Sequence, residues 1–397
     1  MVTPSEPLSA EVEMASWAVT VNDVNHSSST VPDNCIILGM NATIPWNNPH
    51  NLISLEVEQL FYRIKAGIII PVLFLVGFPA NCINMAVFVK QGLKERINLC
   101  LFSLALIDLI YLSAVFVFYA EQIYSQFTDG ERYGPVYRYM VHNRITTLFG
   151  FGYMDMLLVA LVSTERCICV LFPLRAQRCI PTKALAFLIV VSGLVIVCLR
   201  VAVVLQYQIT CFYEMRTQRV SLQLYVNEYY FRNQVMTRAV NGVFYGFCLT
   251  VGCPVVVLVT TIITTKRLTH TVRWRSQTSS SLSSKEIGVT KMLIALSTVF
   301  FVTSIPPIII RVAPLFEARL AAGEVFSNAY SFLLSVLEIC SYTNVSVNFF
   351  VYVITGTRFR TTLQSLLLKR VRFDKSDPIT TITNNLPSAD LSAEVTS

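Results

Sequence analysis

Seven long apolar runs, separated by short polar connectors, dominate the pattern of hydrophobic positions along the chain. Each run holds about 20 residues or more, which is the length that a helix needs to cross the hydrocarbon core of a bilayer. The runs lie at about 66–89, 98–120, 144–170, 184–205, 240–264, 289–311 and 325–354. The pattern predicts an all-α membrane protein, a seven-transmembrane helix bundle that occupies residues 64–355.

The charges of the connectors predict how the helices are oriented. Residues 1–60 contain no Lys or Arg, whereas the connectors before the second, fourth and sixth runs are basic. Because cytoplasmic loops carry the excess of Lys and Arg, we expect a plasma-membrane protein with an extracellular amino terminus and a cytoplasmic tail. No apolar segment of signal-peptide length lies in the first thirty residues, so we expect no cleaved signal.

Two polar segments flank the bundle. Residues 1–63 are expected to form an extracellular, glycosylated tail, because Asn25 and Asn41 each stand in an Asn-x-Ser/Thr pattern. Residues 356–397 begin with apolar residues at helical spacing and basic neighbours. That pattern predicts a short amphipathic eighth helix on the inner leaflet, followed by a disordered cytoplasmic tail.

Composition narrows the function classes. The chain is 54% hydrophobic and 14% charged, against roughly 25% charged residues in a soluble domain, so most side chains face lipid or other helices. The net charge of +7 comes from short loops beside apolar runs, so we expect the lipid bilayer but no nucleic acid as a partner. The chain has no zinc-binding spacing, phosphate loop or Gly-x-Ser-x-Gly motif, so we expect neither an enzyme nor a bound metal.

Two carboxylates, Asp108 and Asp155, lie inside apolar runs. A charge at mid-membrane depth is costly unless it is paired or hydrated, so such a residue indicates a functional site. The third run then ends at the adjacent residues Glu165 and Arg166. About three helical turns separate Asp155 from Arg166, which places the two residues on one face of the helix.

Several motifs within residues 64–368 resemble those of rhodopsin-like G-protein-coupled receptors. They cover the inner end of the third helix, parts of the first, second and seventh helices, and the start of the eighth. The matching stretches are Ser163-Thr164-Glu165-Arg166-Cys167 with Pro173-Leu174, Gly77-Phe78-Pro79-Ala80-Asn81, Leu104-Ala105-Leu106-Ile107-Asp108, Asn344-Val345-Ser346-Val347-Asn348-Phe349-Phe350-Val351-Tyr352 and Gly356-Thr357-Arg358-Phe359-Arg360. Pro254 and Pro306 stand where the family has kink prolines, which act as hinges.

The resemblance implies a receptor that binds an extracellular ligand and activates a heterotrimeric G protein by outward movement of helix six. Arg166 would be restrained by Glu165 and by Glu286, which lies at the inner start of helix six. Tyr352 would belong to the same switch. Arrestin and receptor kinases would be further cytoplasmic partners.

The resemblance also places Asp108 in a sodium pocket that Asn81, Asn344 and Asn348 line, with Asp155 where the family usually has Ser. Two facing carboxylates cannot both stay ionised without a counter-ion, so either a cation lies between them or they share a proton. Alternatively, Asp155 points elsewhere and bonds Asn81 or a backbone carbonyl. Apart from such a sodium ion we expect no cofactor. An ion-coupled transporter or channel that uses both carboxylates is the alternative function.

The chain departs from the family pattern at its extracellular side. The usual Cys at the outer end of helix three is absent, since no Cys lies between Cys100 and Cys167. Cys211 could instead pair with Cys35, the other cysteine that looks extracellular, or stay free. These departures are typical of a divergent branch of the rhodopsin-like receptors. The sequence resembles invertebrate neuropeptide receptors and divergent chemosensory receptors of that superfamily.

Two positions narrow the ligand class. Leu148 stands where amine receptors carry Asp, and Tyr342 stands where opsins carry the retinal-binding Lys. We therefore expect neither an amine nor retinal as the ligand. The outer halves of the runs carry charged residues that suit a peptide or a small polar molecule. The charged ligand-binding candidates are Glu121, Arg144, Arg200, Arg311 and Glu338.

Overall fold

The structure, a computed structural model, describes residues 35–38, 46, 48–125, 135–172, 181–215, 219–276, 284–320 and 324–374. Seven helices in these ranges are long and apolar enough to cross a membrane. They are α1 (Leu55–Gln91), α2 (Arg96–Ser125), α3 (Ile145–Leu171), α4 (Thr182–Val204), α5 (Gln234–His270), α6 (Ser284–Phe316) and α7 (Ser327–Thr355). The predicted seven-helix membrane bundle is thus confirmed.

Successive spans run in opposite directions, which gives the bundle two distinct faces. The odd-numbered helices begin and the even-numbered helices end at one face, which we call the amino-terminal face. The opposite face, where α1, α3, α5 and α7 end, is called the carboxy-terminal face.

The first helix begins well before its apolar run. The Ser54 side chain accepts a hydrogen bond from the backbone N–H of Val57 and caps the helix. Glu56 and Glu58 lie in the first turn, where negative charge is favourable next to the helix dipole. The apolar pattern does not predict this polar first part of α1, which begins at Leu55. Capping and first-turn charges, rather than apolar residues, stabilise it.

Three spans contain irregular turns towards the amino-terminal face. α1 widens into a π-helix at Lys65–Ile69, and α5 does so at Ala239–Gly252. α3 begins with a 3-10 turn, Ile145–Phe149, directly after Arg144 in the left-handed conformation with a φ of 60°. Such interruptions change the direction in which side chains point, and they occur often at functional sites.

A three-stranded sheet, which the apolar pattern does not predict, lies at the amino-terminal face. β2 (Tyr207–Glu214) and β3 (Arg219–Val226) form an antiparallel hairpin between α4 and α5, and β1 (Ile36–Leu38) pairs with β2 in parallel. A disulfide joins Cys35 to Cys211. The segment before α1 is therefore linked covalently to the connection between α4 and α5.

The interior of the bundle is filled where α2, α3, α5 and α7 meet. Lipid tails are as apolar as the side chains that lie here, so these residues stabilise the bundle by close packing rather than by transfer out of water. The largest fully buried side chains of these four helices are Leu101, Leu104, Leu112, Met154, Leu158, Tyr245, Tyr342 and Tyr352.

The eighth helix, α8 (Thr357–Asp374), follows a tight turn at Gly356. A Cβ added at Gly356 would lie 2.7 Å from the backbone oxygen of Tyr352, so a larger residue would force the backbone to move. Phe359 is buried and its ring contacts those of Phe88 and Tyr352. The predicted eighth helix is therefore present, and Phe359 anchors it to the bundle.

Candidate functional site

Two buried carboxylates lie in the middle of the bundle, and we call them the carboxylate pair. Asp108 on α2 accepts a hydrogen bond of 2.8 Å from the Asn348 amide, and Asp155 on α3 accepts one of 3.0 Å from the Asn344 amide. The two carboxyl groups are close enough to interact directly. The Oδ1 atom of each is buried and has no hydrogen-bond donor among the described residues. Each carboxylate can therefore accept a proton or contact a cation.

The carboxylate pair is connected to α6 through a hydroxyl group. The Thr303 hydroxyl lies 3.0 Å from the Asn344 side-chain oxygen, so α3, α7 and α6 are joined in series by Asp155, Asn344 and Thr303. A cavity of about 20 Å³ lies beside these residues, which is roughly the space that one water molecule occupies. The sequence did not point to Thr303, because a hydroxyl in a membrane helix usually bonds its own backbone.

Asn81 lies apart from Asp155. Its amide donates hydrogen bonds to the backbone oxygens of Gly77 and Val345, and its side-chain oxygen accepts one from Asn84. The geometry places Asp155 against Asn344 and Asp108, whereas Asn81 joins α1 to α7.

An ion pair lies at the carboxy-terminal end of α3. Arg166 Nε lies 2.7 Å from Glu165 Oε2, and Arg96 Nε at the start of α2 lies 3.6 Å from Glu165 Oε1. The Glu165 side chain is only 4% exposed and also accepts a hydrogen bond from the thiol of Cys169. Arg96, which the sequence showed only as a basic connector residue, therefore shares Glu165 with Arg166. Tyr352, close to the end of α7, is buried, and its ring contacts that of Phe88 on α1 and that of Phe359 on α8.

Prolines interrupt the hydrogen bonding of the two helices that carry the predicted hinges. Pro254 follows the π-helix of α5, and α6 contains Pro306, Pro307 and Pro314. A proline has no N–H to donate, so each frees a carbonyl oxygen of the preceding turn and makes the helix easier to bend. The bend points of α6 lie between Thr303 and the amino-terminal face.

Two of the predicted ligand-binding residues, Arg200 and Arg311, both lie beside Tyr153 near the amino-terminal face, and we call them the arginine pair. Arg311 on α6 donates a hydrogen bond of 3.0 Å to the Tyr153 hydroxyl on α3. The Arg200 guanidinium on α4 lies 6.0 Å from the centre of the Tyr153 ring and 5.8 Å from that of Tyr245. The Nε atoms of both arginines are buried and have no acceptor among the described residues.

Glu338 belongs to a separate cluster around a buried lysine. Lys65, in the π-helix of α1, donates hydrogen bonds to Glu338 at 2.8 Å, to Ser335 at 3.0 Å and to Tyr119 at 3.2 Å. Its ammonium group also lies 4.8 Å from the ring centres of Tyr62 and Tyr119. Lys65 was not among the predicted site residues. It stands directly before the first apolar run, and a lysine at the edge of such a run is the signal that could have identified it.

Two of the remaining ligand-binding candidates donate hydrogen bonds to backbone oxygens. Arg144 donates hydrogen bonds to the backbone oxygens of Tyr207 and Val204, and so fixes the connection after α4. Tyr342 is buried and donates its hydroxyl to the backbone oxygen of Leu112, which joins α7 to α2. Two further candidates are partly buried: Leu148 in the 3-10 turn of α3 and Glu121 near the end of α2.

An exposed ion pair lies between α6 and α7 at the amino-terminal face. The Arg319 side chain makes two hydrogen bonds of 2.8 Å to Glu317. These bonds lower the pKa of Glu317 from its ordinary 4.5 to about 2. Both side chains of this pair are exposed, whereas Arg200 and Arg311 are partly buried.

Some predicted positions fall on residues that the structure leaves undescribed. Asn25 and Asn41, the predicted glycosylation sites, lie outside the described residues. The backbone of Glu286 lies in α6, but its side chain is also outside the described part. Within the described ranges, no group of three or more His, Cys, Asp or Glu side chains could hold a metal ion.

The seven-helix bundle agrees with a comparison against protein families. Residues 68–370 match the model of the serpentine type 7TM GPCR chemoreceptor Srw, and this match covers more than half of the chain. No curated protein matches the sequence. The chain therefore belongs to the Srw family of serpentine seven-transmembrane G-protein-coupled chemoreceptors.

Proposed function

We propose that the protein is a plasma-membrane receptor that binds an extracellular ligand at its amino-terminal face and activates a heterotrimeric G protein at its carboxy-terminal face. The ion pair of Glu165 and Arg166 is the observation that carries this proposal. Glu165 is buried and engages both Arg166 and Arg96, so Arg166 is restrained at the end of α3 where a cytoplasmic partner would bind. Arrestin and receptor kinases would bind at the same face after activation.

Activation would be a shift between two packings of α6. In the resting packing, Thr303 on α6 is bonded to Asn344, which is bonded to Asp155 on α3. Ligand binding would favour a second packing in which α6 bends at its prolines and its carboxy-terminal-face end moves outward. Glu286 would pair with Arg166 in the resting packing, and this contact would break as well.

The ligand would be a peptide or a small polar molecule that comes from outside the cell. Charged side chains near the amino-terminal face, which are partly buried and face other helices, support a polar ligand over a lipid. A chemosensory ligand agrees with the family description, and a neuropeptide would satisfy the same chemistry. Glycans on Asn25 and Asn41 would mark the extracellular side.

Nucleotide exchange tests the proposal. The full-length receptor in lipid nanodiscs should accelerate the exchange of GDP for GTP on added G protein even without ligand. Arg166→Ala should lower this rate about tenfold, which corresponds to ~1.4 kcal/mol of lost interaction. Arg319→Ala, which removes an arginine paired with a nearby Glu at the opposite face, is the matched control and should leave the rate unchanged. Normal exchange by a well-expressed Arg166→Ala receptor would contradict the proposal.

A transporter or channel that uses Asp108 and Asp155 is the second candidate, and the burial of two carboxylates at mid-bundle supports it. In that case liposomes that contain the receptor should take up sodium ions or protons, and Asp108→Asn should stop the uptake. No uptake from liposomes whose receptor still drives nucleotide exchange would rule this candidate out.

A further inference from the structure

The arginine pair places two positive charges near the amino-terminal face without a negative partner. Arg311 bonds only the Tyr153 hydroxyl, and no carboxylate lies within ion-pair distance of Arg200 or Arg311 among the described residues. By contrast, the buried Lys65 is matched by Glu338. A guanidinium group taken out of water without a counter-charge is costly, so this arrangement calls for a partner that the described chain does not supply.

The tyrosine rings around the pair compensate the charge only weakly. The Arg200 guanidinium lies 6.0 Å and 5.8 Å from the ring centres of Tyr153 and Tyr245, which is about the outer limit for a cation–π interaction. The Tyr245 hydroxyl is already used, because it donates to the backbone oxygen of Ile196. The two rings therefore lie beside the Arg200 guanidinium and, among the described residues, accept none of its N–H groups.

The phenol groups of Tyr153 and Tyr207 lie near both arginines. The Tyr153 hydroxyl accepts from Arg311, and its own proton has no acceptor among the described residues. Tyr207 on β2 and Tyr330 on α7 lie close enough to interact with Arg311. Burial raises the pKa of the Tyr207 phenol, so its hydroxyl keeps its proton. Guanidinium forks with phenol donors are a set that binds an oxyanion.

The position of the arginine pair suits a ligand that enters from the amino-terminal face. Arg200 lies about one turn before the end of α4 at Val204, and Arg311 about one and a half turns before the end of α6 at Phe316. Both helices end at that face.

We propose that Arg200 and Arg311 together bind an oxyanion group, a carboxylate, sulfate or phosphate, of the receptor's ligand. This inference rests on the proposed receptor function and assigns the ligand an acidic group. The bound oxyanion bridges α4 to the part of α6 that lies beyond Pro306. Drawing that end of α6 towards α4 tilts its other end away from α3, which is the movement that activation requires.

Simple anions serve as probes while the ligand itself is unidentified. The full-length receptor in nanodiscs is heated in sodium acetate, succinate, sulfate or phosphate, each matched in ionic strength by sodium chloride. Unfolding is followed with a thiol-reactive dye, because buried cysteines such as Cys100 and Cys253 become accessible on unfolding. At least one oxyanion should raise Tm by about 3 °C over chloride, since a ligand that binds only the folded state stabilises it.

Variants locate the effect. Arg200→Gln and Arg311→Gln should each abolish the rise in Tm, whereas Arg319→Gln, which removes an exposed and paired arginine, should keep it. In chloride alone the two Gln variants should be at least as stable as the parent, because each removes an uncompensated charge. Arg200→Lys and Arg311→Lys keep the charge but lose the planar fork, so they should need about tenfold more anion for the same rise.

The inference would be overturned if no oxyanion raised Tm above chloride, or if the rise persisted in both Gln variants. A loss of stability in chloride for both Gln variants would also overturn it, since it would show that the arginines only hold the helices together. Nucleotide exchange measured on the same samples separates this inference from the proposed function. If the receptor drives nucleotide exchange but no oxyanion raises its Tm, only the oxyanion site is refuted. If an oxyanion raises Tm but the receptor drives no nucleotide exchange, only the receptor function is refuted.

Discussion

Replacement of Glu338 by Gln should destabilise the bundle far more than replacement of its partner Lys65. The two side chains form an ion pair of 2.8 Å between α7 and α1, and they differ sharply in exposure: 3% for Lys65 and 41% for Glu338. Glu338→Gln therefore leaves a buried ammonium without its counter-charge. Lys65→Met leaves a carboxylate that is partly exposed and still accepts a hydrogen bond of 2.7 Å from Tyr119.

The magnitude follows from the contacts that remain. Breaking a fully buried ion pair costs about 3–5 kcal/mol, and the exposure of Glu338 reduces this value. After Glu338→Gln, the lysine keeps hydrogen bonds to Ser335 and Tyr119, each worth about 1 kcal/mol, and two cation–π contacts that add about 0.5–1 kcal/mol each. We therefore expect Glu338→Gln to cost about 2 kcal/mol, and Lys65→Met to cost less than about 1 kcal/mol because the methionine still packs between the rings.

Thermal unfolding of the four proteins in a double-mutant cycle measures the difference. In a protein of 397 residues, a cost of about 2 kcal/mol should lower Tm by roughly 2–3 °C, because the entropy of unfolding grows with chain length. The double variant Lys65→Met/Glu338→Gln should be more stable than Glu338→Gln alone, since it removes the stranded charge. Equal losses for the two single variants, or strictly additive effects in the double variant, would refute the reasoning.

Two further predictions concern the switch. If Asp108 and Asp155 share a cation or a proton in the resting packing, basal nucleotide exchange should fall as sodium or acidity rises. Asp155→Ser should weaken the proton dependence and keep part of the sodium dependence, and identical titration curves for the two proteins would place Asp155 outside the shared site. Glu286→Ala should raise basal exchange, with Lys285→Ala as the neighbouring control, because the loss of a salt bridge to Arg166 would cost on the order of 1 kcal/mol. Unchanged exchange would show that Glu286 does not restrain Arg166.

The number and position of the spans could be predicted from the sequence because membrane-spanning length is a local property. Buried carboxylates such as Asp108 were also found locally, since a charge inside an apolar run is conspicuous. The pairing of Lys65 with Glu338 was out of reach, because it depends on which helices lie side by side and on a π-helix that turns Lys65 inward. The pattern likewise missed β1, whose three residues pair with a strand that is far away in the sequence.

Partners supplied by another helix were the hardest to predict. Arg96 looks like an ordinary loop residue until α2 and α3 are placed together, and only then does it meet Glu165. Thr303 also bonds the backbone oxygen of Val299 on its own helix, which is the usual fate of such a hydroxyl. Its second contact, to Asn344, appears only in the folded bundle.

The disulfide between Cys35 and Cys211 turns the first part of the polypeptide into a covalent ring. The two cysteines are separated by 176 positions, so α1 to α4 lie inside the ring, while α5 to α8 form a linear arm. A protease that cuts one connection within the ring leaves the two pieces joined by the disulfide. A cut after α5 lies outside the ring, so it separates the carboxy-terminal part from the rest of the polypeptide. On a gel the first kind of cut is visible only after reduction, which makes the pattern of bands a direct report of where the chain was cleaved.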